Sequence, residues 1–164
     1  MEFFRMDIID ARILKHLQKK ADMPLAELAL KVKISKTACW NRIRRLEESS
    51  TIVSRQTILN RVAIKLPIVV FLSITVRRHS SEWVERFTAL IDYYDEITEV
   101  YRLTGEGADY QLKIICTSIE AYDKLQQELI SKIEFNTMAT RVSLQEIKQT
   151  YSLPLDHILE VSAV

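Results

Sequence analysis

Apolar residues recur at helical spacing through the opening third of the chain. From Asp7 to about Lys20, Ile9, Ile13, Leu14 and Leu17 fall on one face, with Asp7 or Asp10 at the positive end of the dipole and Lys19 and Lys20 at the other. A shorter helix is predicted over Pro24 to Val32, with proline in its first turn and Leu25, Leu28 and Ala29 inward. Lys33-Ile34 then forms a tight connection, and Ser35 is the N-cap of a third helix running to Glu48. That succession has the spacing of a helix-turn-helix.

Beyond it the period changes. Ile52 to Ile58 is rich in β-branched residues, with a strand or a wing as its alternatives, and leads through Asn60 and Arg61 towards Pro67; the stretch reads as linker. Strands are expected over Ile68 to Val76, Glu96 to Leu103, Tyr110 to Thr117 and Thr140 to Ile147. A helix over Ser80 to Tyr94 turns Trp83, Phe87, Leu90 and Ile91 inward. A second, over Ser118 to Ile133, does so with Tyr122, Leu125, Leu129, Ile130 and Ile133. The order βαββαβ predicts a ferredoxin-like sandwich, so the fold class is α+β, a winged helix-turn-helix domain followed by a ferredoxin-like domain. The domains are drawn as 1–52, a wing or linker strand at 53–66, the sandwich at 67–150 and a tail at 151–164. The tail reads as irregular, with Ser152-Leu153-Pro154-Leu155 apolar enough to dock.

Charge separates the two parts. Residues 1–62 carry 13 Lys and Arg against 7 Asp and Glu, whereas residues 63–164 carry 10 against 15. A basic first part suits a polyanion, and the acidic remainder has another task. The chain shows no apolar run of membrane-spanning length and no secretory signal at its N-terminus. Cys39 and Cys116 sit in apolar surroundings and are expected as buried thiols, which fits a reducing cytoplasm.

On a helical wheel Ala38, Cys39, Ile43 and Leu46 form an apolar back, and Arg42 shares that side. Arg42 therefore snorkels or pairs with a carboxylate such as Asp10 or Glu47. The other face presents Thr37, Trp40, Asn41 and Arg44, flanked by Lys36 and Arg45. Arginine can take guanine O6 and N7, asparagine adenine N6 and N7, and lysine or threonine a phosphate. Ser35, Lys36, Thr37, Trp40, Asn41, Arg44 and Arg45 are thus the candidate contacts to double-stranded DNA. Trp40 either packs on a sugar or thymine methyl, or is covered by a partner subunit or the wing.

Both glycines of the chain, Gly105 and Gly107, lie in Thr104-Gly105-Glu106-Gly107-Ala108-Asp109-Tyr110, between the two central strands of the second part. One reading is a hairpin turn that needs positive φ. The other is a nest whose N–H groups take the carboxylate of a small zwitterion while Glu106 or Asp109 takes its ammonium. Thr104, Gly105, Glu106, Gly107, Asp109, Tyr110 and Thr140 are the candidate effector contacts.

These stretches resemble the Lrp/AsnC, or feast/famine, family of transcription regulators. Asp7 to Leu14 is similar to the family's opening helix, Glu27-Leu28-Ala29 to its second and Ser35 through Glu48 to its recognition helix. Thr104-Gly105-Glu106 with Asp109-Tyr110 resembles its effector loop, and Ile147 to Thr150 with Ser152-Leu153-Pro154 its closing strand and tail. The resemblance implies homodimers, often four in a ring, an amino-acid effector bound between dimers, and assembly or DNA affinity that answers to it. Lys33, Ser50, Ile64 and Ile133-Glu134 stand where the family favours glycine or Pro-Gly, so side chains are expected there on positive-φ backbone. An effector-independent architectural DNA binder is the alternative. Family relatives that are tetrapyrrole decarboxylases suggest an enzyme, but His16, His79 and His157 fall in three different elements. No metal-ligand spacing, catalytic triad or phosphate loop stands out, so no catalytic residue, metal or cofactor is assigned.

Overall fold

The computed structural model of the chain describes residues 6–161, which divide into two compact units. One runs to Ile58 and resumes at Lys148; the other spans Leu59–Ile147. In the first, Asp7 caps α1 (Ile8–Leu17) in a reciprocal box. Its carboxylate accepts from the Asp10 N–H at 2.9 Å, and the Asp10 carboxylate accepts from the Asp7 N–H at 3.1 Å. Pro24 precedes α2 (Leu25–Val32), where a missing N–H leaves no bond unmade. The helix stops at Lys33, which is left-handed at φ 58°. The Ile34 N–H reaches the Ala29 carbonyl at 3.1 Å and the Lys33 N–H that of Leu30 at 3.2 Å, closing the turn in a Schellman pattern. Ser35 then caps α3 (Lys36–Glu48), its Oγ accepting from the Ala38 N–H at 3.1 Å. Ile13, Leu28, Cys39 and Leu46 fill the core among the three helices.

In the second unit β1 (Ile68–Thr75), α4 (Ser81–Tyr93), β2 (Ile97–Arg102), β3 (Tyr110–Cys116), α5 (Ile119–Lys132) and β4 (Thr137–Val142) follow in the expected order. The sheet runs β2-β3-β1-β4 with every neighbouring pair antiparallel, the ferredoxin-like arrangement. Val70, Leu72 and Ile74 of β1 and Leu112 and Ile114 of β3 pack with Phe87 and Leu90 of α4 and Tyr122, Leu125 and Leu129 of α5. Alternation along β1 and β3 sends these side chains to the helical face. Ser80 and Ser118 cap the two helices through their hydroxyls.

Several expectations need correction. Residues 53–59 form no strand: Val53, Ile58 and Leu59 are largely exposed, and no neighbouring strand offers a ladder, so β-branched composition alone does not make one. There is accordingly no wing strand among the described residues. The last strand begins at Thr137, because Thr137 pairs with Thr75 at the end of β1, and it ends at Val142 rather than Ile147. The Ser143 N–H still reaches Val69, but β1 begins just after Pro67, which has no N–H to extend the ladder. Ile130 is half exposed rather than inward. Positive φ is found at Lys33 and Ser50 as expected, but at Lys65 rather than Ile64, and at neither Ile133 nor Glu134.

The tail is not wholly irregular. Asp156–Val161 forms α6, and Leu155 packs against the core of the three N-terminal helices. Gln18 clamps the segment before it: its Oε1 accepts from the Leu153 N–H at 2.6 Å and its Nε2 donates to the Leu153 carbonyl at 3.2 Å. Lys15 and Asp156 add an ion pair at 3.6 Å.

Candidate DNA-contact helix and ligand loop

Arg42 sets how α3 lies against α1. It reaches from the apolar side of α3 to the α1 N-terminus, where one guanidinium nitrogen bonds Asp7 at 2.7 Å and Asp10 at 2.8 Å. Among the described residues Asp10 is the one charged group at a buried position, so this contact supplies a positive charge where an unpaired carboxylate would be costly. Burial pushes the Asp7 carboxyl upward, but the Asp10 N–H and Arg42 outweigh it and hold the group below its ordinary value. The expectation that Arg42 pairs with Asp10 holds, with Asp7 in place of Glu47 as the second partner.

With its back fixed, α3 presents Lys36, Thr37, Trp40, Asn41, Arg44 and Arg45 to solvent. Ser35 is also exposed, although its hydroxyl serves the helix cap. The Trp40 ring is 49% exposed, with the Arg44 guanidinium 5.6 Å from its centroid. Arg44 also pairs with Glu48 at 2.8 Å, one helical turn on. Such a surface pair is worth only about 0.3–0.5 kcal/mol, so a guanine or phosphate can displace it.

The loop between β2 and β3 divides its candidates. Thr104, Gly105, Glu106 and Gly107 are exposed on the turn, with the glycines at φ 113° and 98°. A Cβ at either would meet no atom within 4 Å, so the demand for glycine is one of backbone angle and not of space. Asp109 is tied inward. Its carboxylate accepts from the Val76 N–H at 2.7 Å, its N–H donates to Ile74 and its carbonyl accepts from Leu103. Tyr110 is buried, its ring 5.0 Å from Phe87 and 5.6 Å from both Trp83 and His79. Thr140 faces the Tyr122 hydroxyl at 2.6 Å. It lies opposite Leu72, three residues along β4 from Thr137, which is about 10 Å from the end of the sheet that carries the loop.

Both cysteines are buried and free, and burial pushes their thiols above the ordinary value, which suits packing rather than reactivity. Among the described residues no group of three His, Cys, Asp or Glu is placed to hold a metal, and no helix is long and apolar enough to cross a membrane.

A capped basic helix on a three-helix unit, joined to a ferredoxin-like sandwich with a glycine turn, defines a DNA-binding regulator with a separate ligand domain. Residues 6–47 match the AsnC-type helix-turn-helix domain, and residues 69–153 match the Lrp/AsnC ligand binding domain. The chain belongs to the Lrp/AsnC family of transcription regulators. It is 38% identical over 151 residues to the glutamate uptake regulatory protein of Zymomonas mobilis, covering 92% of each chain. The crystal structure of an AsnC family transcriptional regulator from Agrobacterium tumefaciens superposes with a TM-score of 0.89 at 37% identity, covering 93% of this chain and 99% of that one. A Neisseria meningitidis transcriptional regulator in complex with L-Met gives 0.88 at 28% identity, with the same coverage. The family and these relatives are regulators and not enzymes, so the enzyme alternative falls.

Proposed function

We propose that this chain is a cytoplasmic regulator, at least a homodimer, that reads DNA through Lys36, Thr37, Trp40, Asn41, Arg44 and Arg45 and answers to an amino acid held by the Leu59–Ile147 unit. The observation that carries the DNA reading is the solvent-facing row on α3, whose back is locked by Arg42 to Asp7 and Asp10. The amino-acid reading draws on the relatives, one titled a glutamate uptake regulator and another solved with L-Met. Within this chain the exposed Thr104–Gly107 turn is the part of the loop that can meet a ligand, because Asp109 and Tyr110 are committed to the scaffold. Assembly is supported by the sheet face turned away from α4 and α5, where Phe71 is exposed and the buried amide nitrogen of Gln111 has no acceptor among the described residues.

The test is fluorescence anisotropy of duplex DNA from the gene's own upstream region against random duplex, with and without the twenty amino acids. Preferential binding that shifts with the amino acids is expected. Arg44→Ala weakens that binding by about 1–3 kcal/mol if Arg44 meets a base. Unchanged affinity in this variant refutes the choice of face, and equal binding of both duplexes leaves an architectural DNA binder.

A further inference from the structure

Helix α3 ends in a turn that sends the chain back over its own surface. Ser50 is left-handed at φ 56°, its N–H donating to the Glu47 carbonyl at 3.0 Å, and the Ile52 N–H reaches the Leu46 carbonyl at 2.9 Å. Ile52 packs against the core of the three helices, so the exposed segment that follows starts from a fixed point. Three residues on, the Arg55 guanidinium donates to the Glu47 carboxylate at 2.8 Å. Trp40, Arg44 and Glu47 stand at i, i+4 and i+7, one stripe of α3, and Arg55 lines the same open groove of about 530 Å³ as all three. The stripe that begins in the DNA-facing row would therefore end on a carboxylate, but Arg55 covers it with a guanidinium from outside the helix.

Length decides what that guanidinium can meet. From Lys36 to Glu47 is about 16 Å at roughly 1.5 Å per residue, more than the roughly 12 Å width of the major groove. With the first residues of α3 at the bases, the far end of the stripe stands over a sugar-phosphate backbone. The Arg55 and Glu47 side chains are 49% and 46% exposed, and pairs so open to water are weak, so a phosphate can take the arginine from Glu47. We propose that Arg55 is a DNA-backbone contact, holding a phosphate at the edge of the groove that α3 enters, and that Glu47 is the anion it leaves on binding. The proposal rests on the reading of DNA by α3 put forward above and adds to it a contact from outside that helix. Such a contact carries no sequence information, and it releases counterions from the duplex.

The salt dependence of anisotropy, measured on the full chain with the upstream and random duplexes, tests this. Arg55→Ala is expected to lower the slope of the logarithm of the association constant against that of salt by about 0.9 for each chain bound, about eightfold in affinity at 0.1 M salt, and to do so for both duplexes alike. Arg55→Lys keeps the slope, since lysine also neutralises a phosphate. Lys15→Ala removes the same charge from a similarly exposed pair, with Asp156, that lines no part of the groove, and leaves the slope unchanged. Glu47→Gln removes the internal rival, so it tightens binding of both duplexes in the parent protein and much less in Arg55→Ala. Circular dichroism checks that each variant is folded. An unchanged slope in folded Arg55→Ala overturns the contact, as does an equal loss in Lys15→Ala or a loss confined to the upstream duplex. Equal tightening by Glu47→Gln with and without Arg55 means that Glu47 repels DNA directly, and overturns its exchange with phosphate. If the unaltered chain binds and Arg55→Ala binds as tightly, the contact fails and the reading by α3 stands. If the unaltered chain binds neither duplex, both fail.

Discussion

Removing the Arg42 guanidinium tests whether one side chain holds the reading helix in place. The Asp10 side chain is 2% exposed, that of Arg42 22% and that of Asp7 51%, so the loss falls mainly on Asp10. Breaking a buried pair from one side costs about 3–5 kcal/mol, and partial water access to the Arg42 site puts the expected cost of Arg42→Ala near 3. The Asp7 half of the contact adds little, since exposed pairs are worth about 0–1 kcal/mol. Asp7→Ala loses chiefly a helix cap, about 1 kcal/mol. Replacing both partners of the buried contact, as in Asp10→Leu with Arg42→Met, removes the charge together with its counterion and is expected to cost no more than about 1 kcal/mol. Urea unfolding followed by Trp40 emission in a Trp83→Phe background reports the helical unit alone. A cost below about 1 kcal/mol for Arg42→Ala, or a double variant as unstable as the single one, refutes the reasoning. Acid gives a second check. The Asp7 carboxyl lies below its ordinary 3.8 in the native protein, so it stabilises above that value and the contribution is lost as pH falls through the lowered one. Arg42→Ala lessens that dependence.

Lys33 adopts φ 58° at the end of α2, so Lys33→Gly is expected to raise stability by up to about 1 kcal/mol in the same urea assay. Gly105→Ala, at φ 113°, costs about 1–2 kcal/mol in thermal unfolding, although no neighbour is struck. Lys113 bonds Glu99 at 2.7 Å and, with the Tyr101 hydroxyl, holds its carboxyl below the ordinary 4.5 despite burial. That stabilisation is present above 4.5 and lost as pH falls through the lowered value, so Glu99→Gln flattens the acid limb of stability measured by circular dichroism. Leu155→Ala, at a half-buried site, destabilises the helical unit by about 1–2 kcal/mol, read by Trp40 emission.

Local signals carried most of the fold. The caps Asp7, Ser35, Ser80 and Ser118 stand one residue before their helices, β1 is a nearly continuous apolar run, and burial alternates along β3. The misreadings fall where partners decide. Ile52 to Ile58 has strand composition but no ladder, and β4 takes its start from its pairing with β1 rather than from its own residues. The outward row of α3 was legible from the wheel because helical period fixes facing. Around the glycine turn, sequence marked the backbone angles but not that Asp109 would turn to Val76 or Tyr110 to Phe87.

The return of Leu155 to the first helices means that the sandwich is an insertion within the helical unit rather than an appendix to it. The chain crosses between the units twice, near Ile58 and near Lys148. A protease cut at one crossing therefore leaves two fragments held together only by the packing of the tail on the first helices, so refolding after such a cut is bimolecular. A gene fragment ending at Ile58 encodes the reading helix without Leu155, and so without a part of its own core.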